Sequence, residues 1–307
     1  MSDTSLNPSD ADAFTHAVAG AAGGALSITL TYPLMSLTTK LQTTSDDEKK
    51  QSTREVVKNM LQKDGWKAMF SGLESAIYGM TLSNFVYYYF YELSSGYVKK
   101  IFGSKQLNTL ESFLVGTVAG SATATASNPL WVANTRMTVQ KSSAGTFQTI
   151  YQISRDEGFQ ALFKGLKPAL VLVINPIIQY TVFEQLKNTV LNLTGSKVLS
   201  PSWAFLLGAL GKLVATGLTY PYVTMKTKMQ NQKTVANERP SAVLSTLLES
   251  VKKNGPMSLY RGIGIKLVQS ILTAAFLFFF KEGLVLWSMR LFRLLRTARA
   301  RAKQLRI

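Results

Sequence analysis

The chain has 307 residues, of which 46% are hydrophobic, with no cysteine and a formal net charge of +17. That length allows one large domain or two ordinary ones, and a slightly positive mean hydropathy is high for a water-soluble protein but low for a bundle built only of apolar spans. The lack of cysteine excludes disulfides and thiolate-bound metals, and no cofactor is expected.

A basic balance admits nucleic acid, anionic lipid or an anionic substrate as partner. Nucleic acid fits poorly, because the cations are spread between apolar segments. Membrane lipid and an anionic substrate remain. Residues 1–13 read as a polar tail with acids and no arginine, and are expected to be neither a secretory signal nor a mitochondrial presequence. The first repeat, 14–103, opens with a span over 14–43 that carries "TYPLMSLTTKLQ" (31–42). A short amphipathic helix over 51–63 follows, then "DGWKAMFSG" (64–72) and a span over 73–99. The second repeat, 104–196, has spans over 109–140 and 168–191, with "SNPLWVANTRMT" (127–138), a short helix over 145–156 and "EGFQALFKG" (157–165) between its landmarks. The third, 197–290, has spans over 202–231 and 263–288, with "TYPYVTMKTKMQ" (219–230), a short helix over 240–253 and "NGPMSLYRG" (254–262). A basic tail, 291–307, continues the near-helical spacing of Arg290, Arg293 and Arg296 and reads as a headgroup-facing helix.

Two patterns therefore repeat in one register. Pro33, Pro129 and Pro221 each follow a glycine by thirteen residues and precede Lys40, Arg136 or Lys228 by seven. The second pattern ends at Gly72, Gly165 and Gly262, each two residues after an aromatic. Repetition at a fixed period decides the architecture: an all-α integral membrane protein with six transmembrane helices, each long enough for a bilayer core of about 30 Å, and short amphipathic helices on one side. Both termini then lie on the same side. The prolines are expected to kink the odd-numbered spans.

These repeats resemble the mitochondrial carrier family over nearly the whole chain. The resemblance implies three pseudo-threefold repeats around a central cavity, transport by alternating access, no enzymatic activity, and a functional monomer. The strings "SNFVYYYFYE" (83–92), "LVINPIIQYTVFEQLK" (172–187), "GALGKLVATGLTYP" (208–221) and "KLVQSILTAAF" (266–276) resemble the peroxisomal branch. That branch implies adenine nucleotides or CoA-, FAD- and NAD-type cofactors as substrates. It also implies a multi-pass place in the peroxisomal membrane, reached through the peroxisomal membrane-protein import machinery. The mitochondrial inner membrane is the alternative.

The family pattern places an acid two residues and a base five residues after each proline, forming ion pairs that close one side. Here those positions hold Met35, Trp131 and Val223, then Thr38, Asn134 and Lys226. Lys226 lacks its usual acid. The glutamine nine residues on survives as Gln42 and Gln230, so a gate of apolar contacts and amide hydrogen bonds is expected. At the opposite gate the pattern leaves Glu92, Glu184, Lys187 and Lys281. Glu92 is expected to pair with Lys187, and Glu184 with Lys281. Such thin gates lower the barrier to reopening, so uniport beside exchange is expected.

Transporters bind near the midplane between repeats. The resemblance places the contact positions near Gly79–Met80, Val171–Leu172 and Val268–Gln269. The candidate substrate residues are Lys266 and Lys212 for phosphates, the amides Asn84, Asn175, Gln179 and Gln269 for a base edge, and Tyr87 for stacking. Lys212 either binds phosphate or makes a structural contact, and Asn175 either binds substrate or satisfies backbone groups freed by Pro176. An integral membrane enzyme is disfavoured by one histidine, no cysteine and no paired acids outside the gates. A carrier-like receptor or scaffold that no longer cycles is the remaining class.

Overall fold

Proline inside an apolar helix removes one donor and leaves one carbonyl free, and lipid supplies no replacement. The chain handles this the same way three times. A computed structural model describes residues 13–43, 53–60, 62, 65–103, 106–141, 144–195, 199–231, 251–252, 255–276 and 279–280. Its elements are α1 (Ala13–Thr43), α2 (Thr53–Asn59), α3 (Gly65–Ala68), α4 (Leu73–Phe102), α5 (Thr109–Gln140), α6 (Thr146–Glu157), α7 (Leu166–Val171), α8 (Asn175–Thr194), α9 (Pro201–Asn231) and α10 (263–276). Single 3-10 turns occupy Phe159–Phe163, Leu172–Ile174 and Pro256–Tyr260, and no strand occurs among the described residues. The 1–12 part of the polar tail, most of the short helix expected over 240–253, the far part of the last span and the basic tail lie outside the described residues.

α1, α5 and α9 have 31, 32 and 31 residues. At ~1.5 Å per residue each exceeds the hydrocarbon thickness. Pro33, Pro129 and Pro221 lie inside them. Two residues before each proline stands a buried hydroxyl that donates to the carbonyl four residues back: Thr31 to Ser27 at 2.8 Å, Ser127 to Thr123 at 2.8 Å, and Thr219 to Ala215 at 2.7 Å. Such back-bonding bends helices and satisfies the hydroxyl without water.

The residue just before the proline ties the helix to a later turn of its own repeat. Asn128 donates to the carbonyls of Leu162 (2.8 Å) and Lys164 (3.1 Å), and the Tyr220 hydroxyl donates to Arg261 O (3.0 Å). Lys164 and Arg261 each precede the last glycine of the second pattern. Those glycines open the even-numbered spans in the left-handed region, at φ +87, +77 and +86 for Gly72, Gly165 and Gly262.

One span departs from expectation. The stretch 168–191 is not a single α-helix: α7 and α8 are joined by the 3-10 turn Leu172–Ile174. Pro176 has no N–H for the Leu172 carbonyl and its ring crowds that carbonyl, so the chain tightens there. α5 starts with a capping box, Asn108 accepting from Glu111 N and Glu111 accepting from Asn108 N. The N-terminus of α6 is met by a carboxylate from another helix, Glu74 Oε2 accepting from Thr146 N at 3.2 Å.

The chain falls into two units, residues 36–267 and residues 1–35 with 268–307. In the first, α4 lies along α5 and α8 along α9. The second approach needs glycine: a Cβ on Gly211 would stand 2.8 Å from Gln179 O. The same unit shows a cyclic relation between repeats. Asn134 of α5 donates to Gly72 O at 2.8 Å. A Cβ on Gly165 would meet Lys226 O of α9 at 2.9 Å, and one on Gly262 would meet Leu41 of α1 at 3.5 Å. The amphipathic helices seal this end with apolar clusters: Val56 and Met60 on Leu37 and Leu41, and Ile153 on Val132. In the second unit Thr31 and Thr273 share a hydrogen bond of 2.9 Å.

Gly165→Ala combines a left-handed backbone with a clash against main chain, and should cost about 1–3 kcal/mol. Gly217, inside α9 with nothing within 4 Å of its Cβ position, should accept alanine neutrally or gain up to about 1 kcal/mol. Thermal unfolding of both variants in detergent checks the contrast.

Candidate functional site

Three lysines of the larger unit lie on two of its helices. Lys212 and Lys226 lie on α9 and Lys266 on α10, all partly buried. Lys266 sits within Coulombic reach of both others. The Lys212 ammonium reaches Asn175 Oδ1 at 3.5 Å, and Asn175 Nδ2 donates to Thr219 Oγ1 at 2.7 Å. Asn175 thus links α8 to α9, and the expectation that it satisfies backbone groups freed by Pro176 is corrected. Pro176 stands at the start of α8, where a missing N–H is least costly. Among the described residues no carboxylate pairs with Lys212 or Lys226.

Lys226 has a different neighbour. Its ammonium lies 5.9 Å from the centroid of the Trp131 ring, within cation–π range. The indole leans on Gly79, where a Cβ would come 3.3 Å from a ring carbon. Trp131 fills the acid position of repeat two and Lys226 the base position of repeat three. The indole face therefore stands where the family pattern has a carboxylate.

Tyr87 stacks on Tyr91 at 5.8 Å and lines a cavity of about 650 Å³ with Phe113, Gly116, Gly120, Pro176 and Tyr180. Asn84 is exposed on α4 and Gln179 is half-buried on α8. Gln269, in the smaller unit, is 6% exposed and donates to Thr273 Oγ1 at 3.2 Å.

At the gate carrying the glutamines, Gln42 Nε2 donates to the Tyr220 hydroxyl at 3.1 Å, and Thr135 donates to Gln230 Oε1 at 3.0 Å. Gln230 also accepts on its carbonyl from Arg136 Nε at 3.1 Å. Arg136, 3% exposed, forks onto both carboxylate oxygens of Glu157. Its charge is thereby neutralised within repeat two. At the other gate Lys187 pairs with Glu184 of its own helix, 3.2 Å to each oxygen, and not with Glu92. Three residues apart, Glu184 and Lys187 share a face of α8, which leaves Glu92 exposed on α4. Lys281 lies outside the described residues.

Sequence reasoning missed Trp131, Thr219 and the Arg136–Glu157 fork. The first was within reach: an aromatic in the acid position, matched across repeats with the one surviving base, is a cation–π candidate.

The sequence profile described as mitochondrial carrier protein matches residues 9–102, 105–193 and 197–290. Peroxisomal membrane protein PMP47B of Candida boidinii is 38% identical, over 90% of this chain and 87% of its own length. The peroxisomal nicotinamide adenine dinucleotide carrier of Arabidopsis thaliana is 32% identical, over 89% and 96%. Peroxisomal adenine nucleotide carrier 1 of Glycine max is 31% identical, over 89% and 91%.

Removing one partner of a buried pair strands the other. Arg136→Ala should cost about 3–5 kcal/mol, whereas Arg136→Met combined with Glu157→Leu should recover most of the loss. Thermal unfolding of the single and double variants measures the difference.

Proposed function

The chain belongs to the mitochondrial carrier family, and from that premise we propose that it carries adenine nucleotides across the peroxisomal membrane, ATP in exchange for AMP or ADP. The observation that carries this reading is the grouping of Lys212, Lys226 and Lys266 on α9 and α10, with Lys212 on Asn175 Oδ1 at 3.5 Å and Lys226 over the Trp131 ring at 5.9 Å. Among the described residues no carboxylate pairs with Lys212 or Lys226, so the three cations repel one another. A polyphosphate relieves that repulsion and supplies acceptor oxygens to each ammonium. A membrane multi-pass carrier with such a site selects anions first and the attached group second.

The peroxisomal location follows the names of the relatives. Fatty-acid activation inside that organelle needs ATP, so exchange there serves β-oxidation. A second reading, an NAD-, FAD- or CoA-type cofactor, draws on the nicotinamide adenine dinucleotide carrier among them. Both substrates present phosphates to the same lysines.

Alternating access then needs each gate to open in turn. The glutamine gate is held by neutral hydrogen bonds among Gln42, Tyr220, Thr135 and Gln230, each worth only about 0.5–1.5 kcal/mol net, and by one charge-assisted bond from Arg136 to Gln230 O. An empty carrier can therefore reopen, and uniport accompanies exchange.

Purified protein in liposomes should take up labelled ATP, faster with internal AMP or ADP than without, yet measurably into empty vesicles. Lys266→Ala should reduce uptake by about 10–100-fold, the loss of one charge-assisted contact, while still folding. Failure of native protein to move ATP, AMP, CoA, FAD or NAD would return the chain to the scaffold class, and undiminished uptake by Lys266→Ala would remove that residue from the site.

A further inference from the structure

We infer that Lys226 serves two partners in turn, the Trp131 indole when the site is empty and a substrate phosphate when it is filled, so that Trp131 is a positioning residue for anion binding. The inference rests on the anion-carrier reading above and goes beyond it by assigning a third phosphate cation and the group that releases it.

The argument begins with what holds Lys226. No acid pairs with it among the described residues, and its ammonium lies 5.9 Å from the Trp131 ring centroid. A cation over an aromatic face is held more weakly than by a carboxylate, and more weakly than by a charge-assisted bond to phosphate. An ion pair would compete with the substrate on equal terms. The indole yields to it.

Placement supports the exchange of partners. Lys226 acts electrostatically on Lys266, and so does Lys212. An anion drawn to Lys266 and Lys212 therefore arrives within the field of Lys226. The backbone beside Lys226 is fixed, since its carbonyl lies against Gly165. Movement between partners is left to the flexible side chain. The ring is also fixed, because Gly79 offers its ring atoms a flat bed with no side chain. Trp131 belongs to repeat two and Lys226 to repeat three. Each transfer of the ammonium thus breaks a contact between two repeats as it makes one to the substrate. Binding is coupled to loosening of the closed side.

The experiment is a thermal-protection titration of the purified full chain with inorganic pyrophosphate and with ATP, giving an apparent Kd for each. Lys226→Gln should weaken both by about tenfold, one charge-assisted contact, and Lys226→Arg should restore most of it. Trp131→Leu frees the ammonium and should leave anion affinity equal or tighter. Trp131→Glu captures the ammonium in an ion pair and should weaken it about tenfold. A merely structural role for Trp131 would move the last two variants in the same direction, and that result overturns the proposal.

A second measurement stands if Trp131→Glu does not fold. In a chain whose Trp66, Trp203 and Trp287 are replaced by Phe, pyrophosphate should change the emission of Trp131, and the change should vanish with Lys226→Gln. An unchanged emission in the Lys226-containing chain overturns the proposal. Protection by pyrophosphate without nucleotide transport would sink the nucleotide reading and leave this one standing. Nucleotide transport with Lys226→Gln affinity within twofold of native does the reverse, and no protection by either anion overturns both.

Discussion

Buried polar atoms in a membrane must find partners inside the protein, and the rest of the structure depends on how this chain meets that demand at its three proline-containing helices. A hydroxyl folds back on the helix before the proline, as Thr31, Ser127 and Thr219 do. The next side chain reaches out to the loop that opens the following span, as Asn128 and Tyr220 do. Left-handed glycines at that loop then bring main chain close enough to be reached. The folded-back hydroxyl and the glycine turn recur in all three repeats, and the tether joins them in repeats two and three.

Charge is handled in two contrasting ways. Arg136 and Lys187 are neutralised locally, by Glu157 and Glu184 within their own repeat. The first pair joins α5 to α6 and the second lies along α8, so neither links one repeat to another. Among the described residues Lys212 has an amide beside it and Lys226 an aromatic face, and neither has a carboxylate. Leaving charges so weakly satisfied in a membrane is costly unless a ligand completes them. The first pattern belongs to architecture and the second to binding.

The sequence made the span boundaries and the repeat register legible because proline and glycine have strong local effects. α1, α5 and α9 lie within a residue or two of 14–43, 109–140 and 202–231. The broken fourth span was harder, because periodicity alone does not say whether Pro176 kinks a helix or restarts one. Side-chain partners were hardest. Whether Asn175 turns to its own backbone or to Thr219 depends on the rotation of α8 against α9, set by the close contact at Gly211. Glu92 and Lys187 match the family pattern, but Glu184 is nearer to Lys187 along the same helix. The hydroxyl column before the prolines was visible in the three aligned strings and carried no weight there, since a threonine before a proline is unremarkable until its carbonyl is seen.

The seating of Gly165 against the Lys226 carbonyl has a mechanical meaning. A side-chain contact is a spring, because rotamers absorb a displacement before passing it on. Main chain against a glycine is closer to a bearing, with little slack. In repeats two and three the tethers from Asn128 and Tyr220 make each proline-containing helix and its following turn behave as one lever. A pull applied at Lys226 is then felt at the root of α7 with almost no lost motion. Force reaches the neighbouring repeat through the backbone, and the side chains of the site are left free to choose what they hold.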